Sequence, residues 1–184
     1  MAFTPATFRR ATIAVAGTAV ALGALPVAAA ATPAPVSHAQ VSSTKADRAK
    51  LKRKGARERA NRARASLVRV ALNQKGERYV SGASGPNRFD CSGFTMYVYK
   101  KATGKYLPHF SGAQMRKAKR VGRKHLKPGD LMFFGPGGSQ HVSMYIGKGK
   151  MIHATNPRSG VRIDSINMGY YKARYAGAGR IIQG

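Results

Sequence analysis

The chain contains no tryptophan and a single cysteine, Cys91, in 184 residues. One thiol excludes an internal disulfide framework, and with it the CxxC patterns of zinc ribbons and redox centres. Acidic residues are nearly as scarce, with six Asp and Glu against 33 Lys and Arg and a formal net charge of +27. A field of that size draws a protein to polyanions such as nucleic acid, anionic lipid or acidic wall polymers. Beyond the first 39 residues, no segment is long or apolar enough to cross a membrane.

The amino terminus explains part of this pattern. Arg9 and Arg10 precede an apolar stretch from Ala11 to Leu25, then Pro26 and an alanine cluster. This is the layout of a secretory signal peptide over residues 1–39, with cleavage expected after Ala31 or Ala39. Gly17, Gly23 and Pro26 interrupt the apolar run and leave it short for a membrane anchor. Export makes nucleic acid an unexpected physiological partner. In an exported chain a lone cysteine reads as a thiol kept free for reaction.

Residues 40–63 read as a basic arm, disordered or partly helical. Ala alternates with Lys and Arg from Lys45 to Arg64, and like charges at i, i+4 oppose the helix that alanine favours. Residues 64–184 are enough for one small core, hence one domain. Periodicity through Ala60, Ala63, Leu67, Val70 and Ala71 predicts a first helix, stopped at Gly76. Tyr79–Pro86 reads as a loop. Cys91, Phe94, Thr95, Val98 and Ala102 fall on one face of a second helix that Gly104 ends, with Cys91 in its first turn. Ser111-x-x-Gln114 has the form of a capping box opening a short helix that carries Arg116, Lys117, Lys119 and Arg120. Strands are expected over 131–134, 141–146, 150–154, 161–164 and 179–182. Helices first and closely spaced strands afterwards imply an α+β fold with an antiparallel sheet.

The chemistry gathers on Cys91, His141 and His153. A thiol at a helix N-terminus, near free backbone N–H groups and an imidazolium, is expected to have a lowered pKa. The same N–H groups suit an oxyanion. If Gly147-Lys148-Gly149 is a three-residue hairpin loop, Ser143 lies opposite His153, and His141 and His153 share a face. A two-residue loop would turn His153 away. His141 is then the general base and His153 the residue that orients it. A zinc site from Cys91, His141, His153 and His109 is the rival, but no metal-ligand spacing supports it. Asp90 either caps the second helix or binds a substrate ammonium, and Tyr79 either donates to the thiolate or packs.

Five segments in order then become familiar. They are Gly76-x-x-Tyr79-Val80-x-Gly82, Phe89-Asp90-Cys91-Ser92-Gly93-Phe94, Leu126-x-Pro128-Gly129-Asp130-Leu131-x-Phe133-Phe134, His141-Val142-x-x-Tyr145-Ile146-Gly147 and Met151-Ile152-His153-Ala154. Together they resemble the NlpC/P60 family of cell-wall cysteine peptidases. The resemblance implies a papain-like α+β fold, in which N-terminal helices carrying the Cys pack on an antiparallel sheet carrying the His residues. It further implies hydrolysis of peptidoglycan stem peptides, commonly between D-glutamate and a diamino acid, through a thioester and without a cofactor. Cys91, His141 and His153 would be catalytic, and Tyr79, Asp90 and Ser92 would serve substrate binding or the oxyanion. Ser81 stands where the family often has Trp, which bears on pocket shape. The expectation is a secreted, wall-associated monomer that also holds acidic wall polymers through its basic surface. The alternatives are a cationic wall-binding protein with an inactive enzyme-like domain, or an amidase or acyltransferase on another substrate.

Overall fold

The computed structural model describes residues 44–184. The expected signal peptide and the linker that follows it lie outside them. Helix α1 spans Lys45–Leu72 without interruption. The arm, expected to be disordered or partly helical, and the first helix are thus one continuous helical element across residue 64. Ala, Lys and Arg are all strong helix formers, and over seven turns their propensity outweighs the like-charge repulsion. Thr44 and Asp47 close the N-terminus as a reciprocal capping box. Only the second half is anchored, through the buried residues Ala60, Arg64, Leu67 and Ala71. The helix stops at Leu72, one turn before Gly76, whose N–H donates instead to the Val161 carbonyl at 2.9 Å.

A two-residue parallel pair, β1 (Arg78–Tyr79) and β2 (Arg88–Phe89), leads into α2 (Cys91–Thr103). Helix α2 ends at Gly104 as expected. Next come α3 (Ser111–Lys117) and strands β3 (Lys119–Val121), β4 (Leu131–Phe134), β5 (His141–Gly147), β6 (Lys150–Ala154) and β7 (Val161–Ser165). Helix α4 (Gly169–Ala173) and β8 (Tyr175–Arg180) complete the chain. The six-stranded sheet is antiparallel throughout, in the order β3-β8-β4-β5-β6-β7. The last strand lies four residues earlier than expected at its start, and Lys119 and Arg120 belong to β3 rather than to a helix. The capping box at Ser111 does not form. Phe110 is the N-cap, and Gln114 is fully buried, bonding the Ser92 and Pro108 carbonyls at 2.9 and 2.8 Å and the Thr95 hydroxyl at 2.7 Å. Those three partners are worth more to a buried amide than an exposed cap.

Both faces of the sheet are covered. Leu131, Phe133, Val142, Met144, Ile152 and Ala154 join Leu67, Phe94 and Val98 of α1 and α2 in one core. Met132, Phe134 and Met151 form a second cluster with Tyr145, Tyr171 and Tyr175. A buried ionic knot ties the elements together. Asp130, with no exposed surface, accepts from Arg64 at 3.2 Å and from Arg180 at 2.6 and 2.8 Å. Arg64 also donates to the Ile182 carbonyl. The Pro-Gly-Asp segment therefore fastens α1 and the chain's end to β4.

The hairpin between β5 and β6 departs from expectation in an instructive way. Its turn has two residues, Lys148 and Gly149, both with positive φ, as a type I′ turn requires. Ile146 is an extra residue, a bulge between the Tyr145–Met151 and Gly147–Lys150 pairs. Bulge and short turn cancel, so Met144 still faces Ile152 and His141 and His153 still share a face.

Candidate active site

Cys91 is the first residue of α2. Asp90 caps that helix, its Oδ1 accepting from the Gly93 N–H at 2.7 Å and from the Ser92 hydroxyl at 3.0 Å. Its Oδ2 accepts from the Gly82 N–H at 2.9 Å and meets His109 Nε2 at 2.8 Å. Asp90 thus binds the helix start to the preceding loop, and capping is the role this geometry realises. The loop comes so close that a Cβ on Gly93 would stand 2.2 Å from the Ala83 carbonyl oxygen. Only glycine fits there, which fixes how Cys91 is presented.

The backbone N–H groups of Cys91, Ser92 and Val142 point at the sulfur and favour the thiolate. Burial outweighs them and, with the negative charge of Asp90, holds the thiol above its ordinary range. This reverses the expected lowering, because the reactive end of α2 is enclosed by β5 and the Tyr79 loop. Tyr79 lines the same cleft, and burial, then Cys91 and Asp90, push its hydroxyl pKa up, so it keeps its proton and can donate. The Ser92 hydroxyl is spent on Asp90, and its backbone N–H is what it offers an oxyanion.

Across the cleft, His141 Nε2 lies 2.7 Å from His153 Nδ1, and His153 Nε2 lies 3.1 Å from Asp164 Oδ2. Arg162 holds the other oxygen of Asp164 through Nε and one terminal nitrogen, at 3.0 and 2.6 Å. This chain fixes protons. The Asp164 carboxylate can only accept, so His153 donates from Nε2 and presents a bare Nδ1. His141 must then donate from Nε2, which leaves the lone pair on its Nδ1 free to accept a proton. Burial, reinforced by the neighbouring His153, lowers the His141 pKa to about 3. Burial lowers His153 to about 4 against the opposing pull of Asp164. The pair at rest is a thiol and a neutral imidazole.

Tyr171 closes the site from α4, its ring 5.0 Å from His153 and 5.7 Å from His141. Burial raises its pKa to about 12. Cys91, His141, Tyr79, Asp164 and Tyr171 all line one cleft of about 450 Å³. A larger groove of about 580 Å³ under α1, lined by Val68, Leu72, Pro128 and Ile146, has no histidine or nucleophile. His109 is held by Asp90, away from the His141–His153 pair, and among the described residues no group of three or more His, Cys, Asp or Glu is placed to hold a metal ion.

The structure therefore brings together Cys91, His141, His153 and Tyr79, with Asp90 and Ser92 at the helix start that carries Cys91. Sequence reasoning missed Asp164, Arg162 and Tyr171. A signal existed for the first two, since Arg162 faces His153 and Asp164 lies two residues on, on the same face of β7. Tyr171 sits on a five-residue helix that periodicity does not reveal.

Residues 76–180 match the model of the NlpC/P60 family. The probable endopeptidase p60 of Listeria monocytogenes is 44% identical over 115 residues, 61% of this chain and 23% of that protein. The gamma-D-glutamyl-L-lysine dipeptidyl-peptidase of Bacillus cereus is 45% identical over 98 residues, 51% of this chain and 29% of that protein. The chain thus spans about a quarter of the length of these relatives. Among solved structures, the peptidoglycan hydrolase RipB from Mycobacterium tuberculosis superposes with a TM-score of 0.60 at 31% identity, covering 70% of this chain and 69% of that one.

Proposed function

Given that this chain belongs to the NlpC/P60 family, we propose that it is a cysteine peptidase that hydrolyses an amide bond in peptidoglycan stem peptides. The observation that carries this reading is the Asp164–His153–His141 chain, whose one free imidazole nitrogen is left for the Cys91 thiol in the same cleft. His141 Nδ1 takes the proton as sulfur attacks the amide carbon. Backbone N–H groups at the start of α2 hold the oxyanion, and His141 returns the proton to the leaving amine. Water, deprotonated by the same nitrogen, then cleaves the thioester. The bond favoured is the one between D-glutamate and the diamino acid, because the Bacillus cereus relative carries that specificity in its name. The protein acts outside the cell, without a cofactor and as a monomer.

Wall adhesion fits the distribution of charge. Asp90, Asp130 and Asp164 are spent inside the protein, while the first half of α1 is exposed and dense in Lys and Arg. Acidic wall polymers are the partner that this surface suits. Mass spectrometry of defined muropeptides, with wild type and Cys91→Ala, tests the reading. A new amine and carboxylate at one stem-peptide bond, absent with the variant, is expected, while binding to isolated walls persists. Intact muropeptides in both samples, with a confirmed free thiol, would leave the cationic binding role in its place.

A further inference from the structure

The cleft is poor in negative charge. Asp164 is the one carboxylate in its lining, and His153 and Arg162 occupy both of its oxygens. Two guanidinium groups share that lining, Arg162 and Arg174. Arg162 is committed to Asp164. Arg174 is exposed and has no carboxylate partner among the described residues.

Arg174 is nevertheless held in place. Its guanidinium carbon lies 4.1 Å from the centre of the Tyr170 ring. Tyr170 stands edge-on to Tyr171 at 5.1 Å, and Tyr171 leans on His141 at 5.7 Å. A row of three contacts thus runs from the general base to the cation. The Arg174 carbonyl accepts from the Gly135 N–H at 2.8 Å, which fixes the backbone. Past Arg174 and Gln140, both shared with the cleft, a second hollow of about 390 Å³ opens between Gly135, Pro136, Ala173 and Tyr175. A chain extended from the cleft into that hollow passes the guanidinium. Stacking on an aromatic face orients the planar group and leaves its N–H edge free for a two-point bond to a carboxylate.

We propose that Arg174, seated on Tyr170, binds a free carboxylate of the stem peptide and makes the enzyme discriminate against substrates in which that carboxylate is amidated. The inference rests on the peptidoglycan reading above and adds a determinant of specificity to it. Two carboxylates have the required chemistry. A glutamyl residue linked through its γ-carboxyl keeps its α-carboxylate free, and a diaminopimelyl residue carries one on its side chain.

The test is kcat/KM on two pairs of muropeptides, D-glutamate against its α-amide and diaminopimelate against its side-chain amide. Wild type, Arg174→Gln, Arg174→Lys and Tyr170→Leu are compared, with thermal midpoints and Cys91 alkylation rates confirming intact folds. Wild type is expected to prefer the carboxylate member of one pair by about five- to tenfold, mainly through KM. Arg174→Gln should bring that ratio close to one, and Arg174→Lys and Tyr170→Leu should fall between. The pair that responds identifies the carboxylate. A wild type indifferent to amidation in both pairs, or an Arg174→Gln enzyme that keeps the preference, overturns the proposal. A wild type that cleaves none of the four substrates is a different failure, which removes the peptidase reading as well.

Discussion

Replacing Asp164 with Asn changes charge and hydrogen-bond direction while leaving shape almost untouched, and the consequence can be followed atom by atom. Arg162 donates twice to Oδ1 and has no acceptor to offer. In Asp164→Asn the carboxamide oxygen must stay with Arg162, so the NH2 turns toward His153 Nε2. His153 must then accept there and carry its proton on Nδ1, 2.7 Å from His141 Nε2. That nitrogen becomes an acceptor in turn, and the His141 proton moves to Nδ1, the position from which it should take the Cys91 proton. Restoring the competent tautomer means tolerating one donor–donor contact in the chain, at a cost of about 1–3 kcal/mol. The competent population falls by about 5- to 150-fold. We expect kcat on muropeptides to drop about 30-fold, the geometric middle of that range, with KM within about twofold of wild type. Asp164→Ala, which removes the acceptor without imposing a donor, should lose more stability yet less kcat than Asp164→Asn. A folded Asp164→Asn enzyme with kcat within about twofold of wild type would refute the tautomer chain as the control on His141.

Two further outcomes follow from buried charge. His141 and His153 titrate in the folded protein at about 3 and 4, below the ordinary 6.5. Below pH 6.5 the unfolded chain therefore binds protons that the native one refuses, and stability falls as pH falls, at up to about 2–3 kcal/mol per pH unit between pH 6 and 4. Denaturant titrations at pH 7 and pH 5 should show this loss, and an equal loss in a His141→Ala/His153→Ala variant would assign it elsewhere. Asp130→Ala strands Arg64 and Arg180 beside a vacated, solvent-free position and should destabilise the fold by about 3–5 kcal/mol. A change below about 1 kcal/mol in urea unfolding would mean that water readily replaces the carboxylate.

The elements with strong local signals were legible in the sequence, and those set by distant contacts were not. Cys91 to Gly104 carries both its periodicity and its stop signal, and β4, β5 and β6 are short apolar runs bounded by turn residues. Cys91, His141 and His153 could therefore be placed on their elements before any coordinates. Lys45–Arg64 misled because charge repulsion was weighed above summed propensity. Ser111 and Gln114 misled because a pattern that caps an exposed helix means something else once the amide is buried. The direction of the Cys91 shift depends on how β5 and the Tyr79 loop enclose the sulfur, and α2 alone does not encode that. Asp164 needed the β6–β7 register, which the Asn156–Gly160 turn signals but does not fix as a two-residue turn would.

The bulge at Ile146 makes the hairpin that carries His141 and His153 sensitive to the parity of its strand lengths. Side chains alternate faces along a strand, so adding or deleting one residue within β5 or β6 between a histidine and the turn, with turn and bulge kept, shifts the pairing by one and sends one histidine into the helix-facing core. A two-residue change within a strand preserves the facing, as does a one-residue change matched by loss or gain of the bulge. Variation in this hairpin is therefore expected to come in even steps or in compensated pairs. A library of β5 lengths behind the unchanged Lys148-Gly149 turn, selected for muropeptide cleavage, should recover active members at even steps and, at odd steps, only where the bulge is lost or gained.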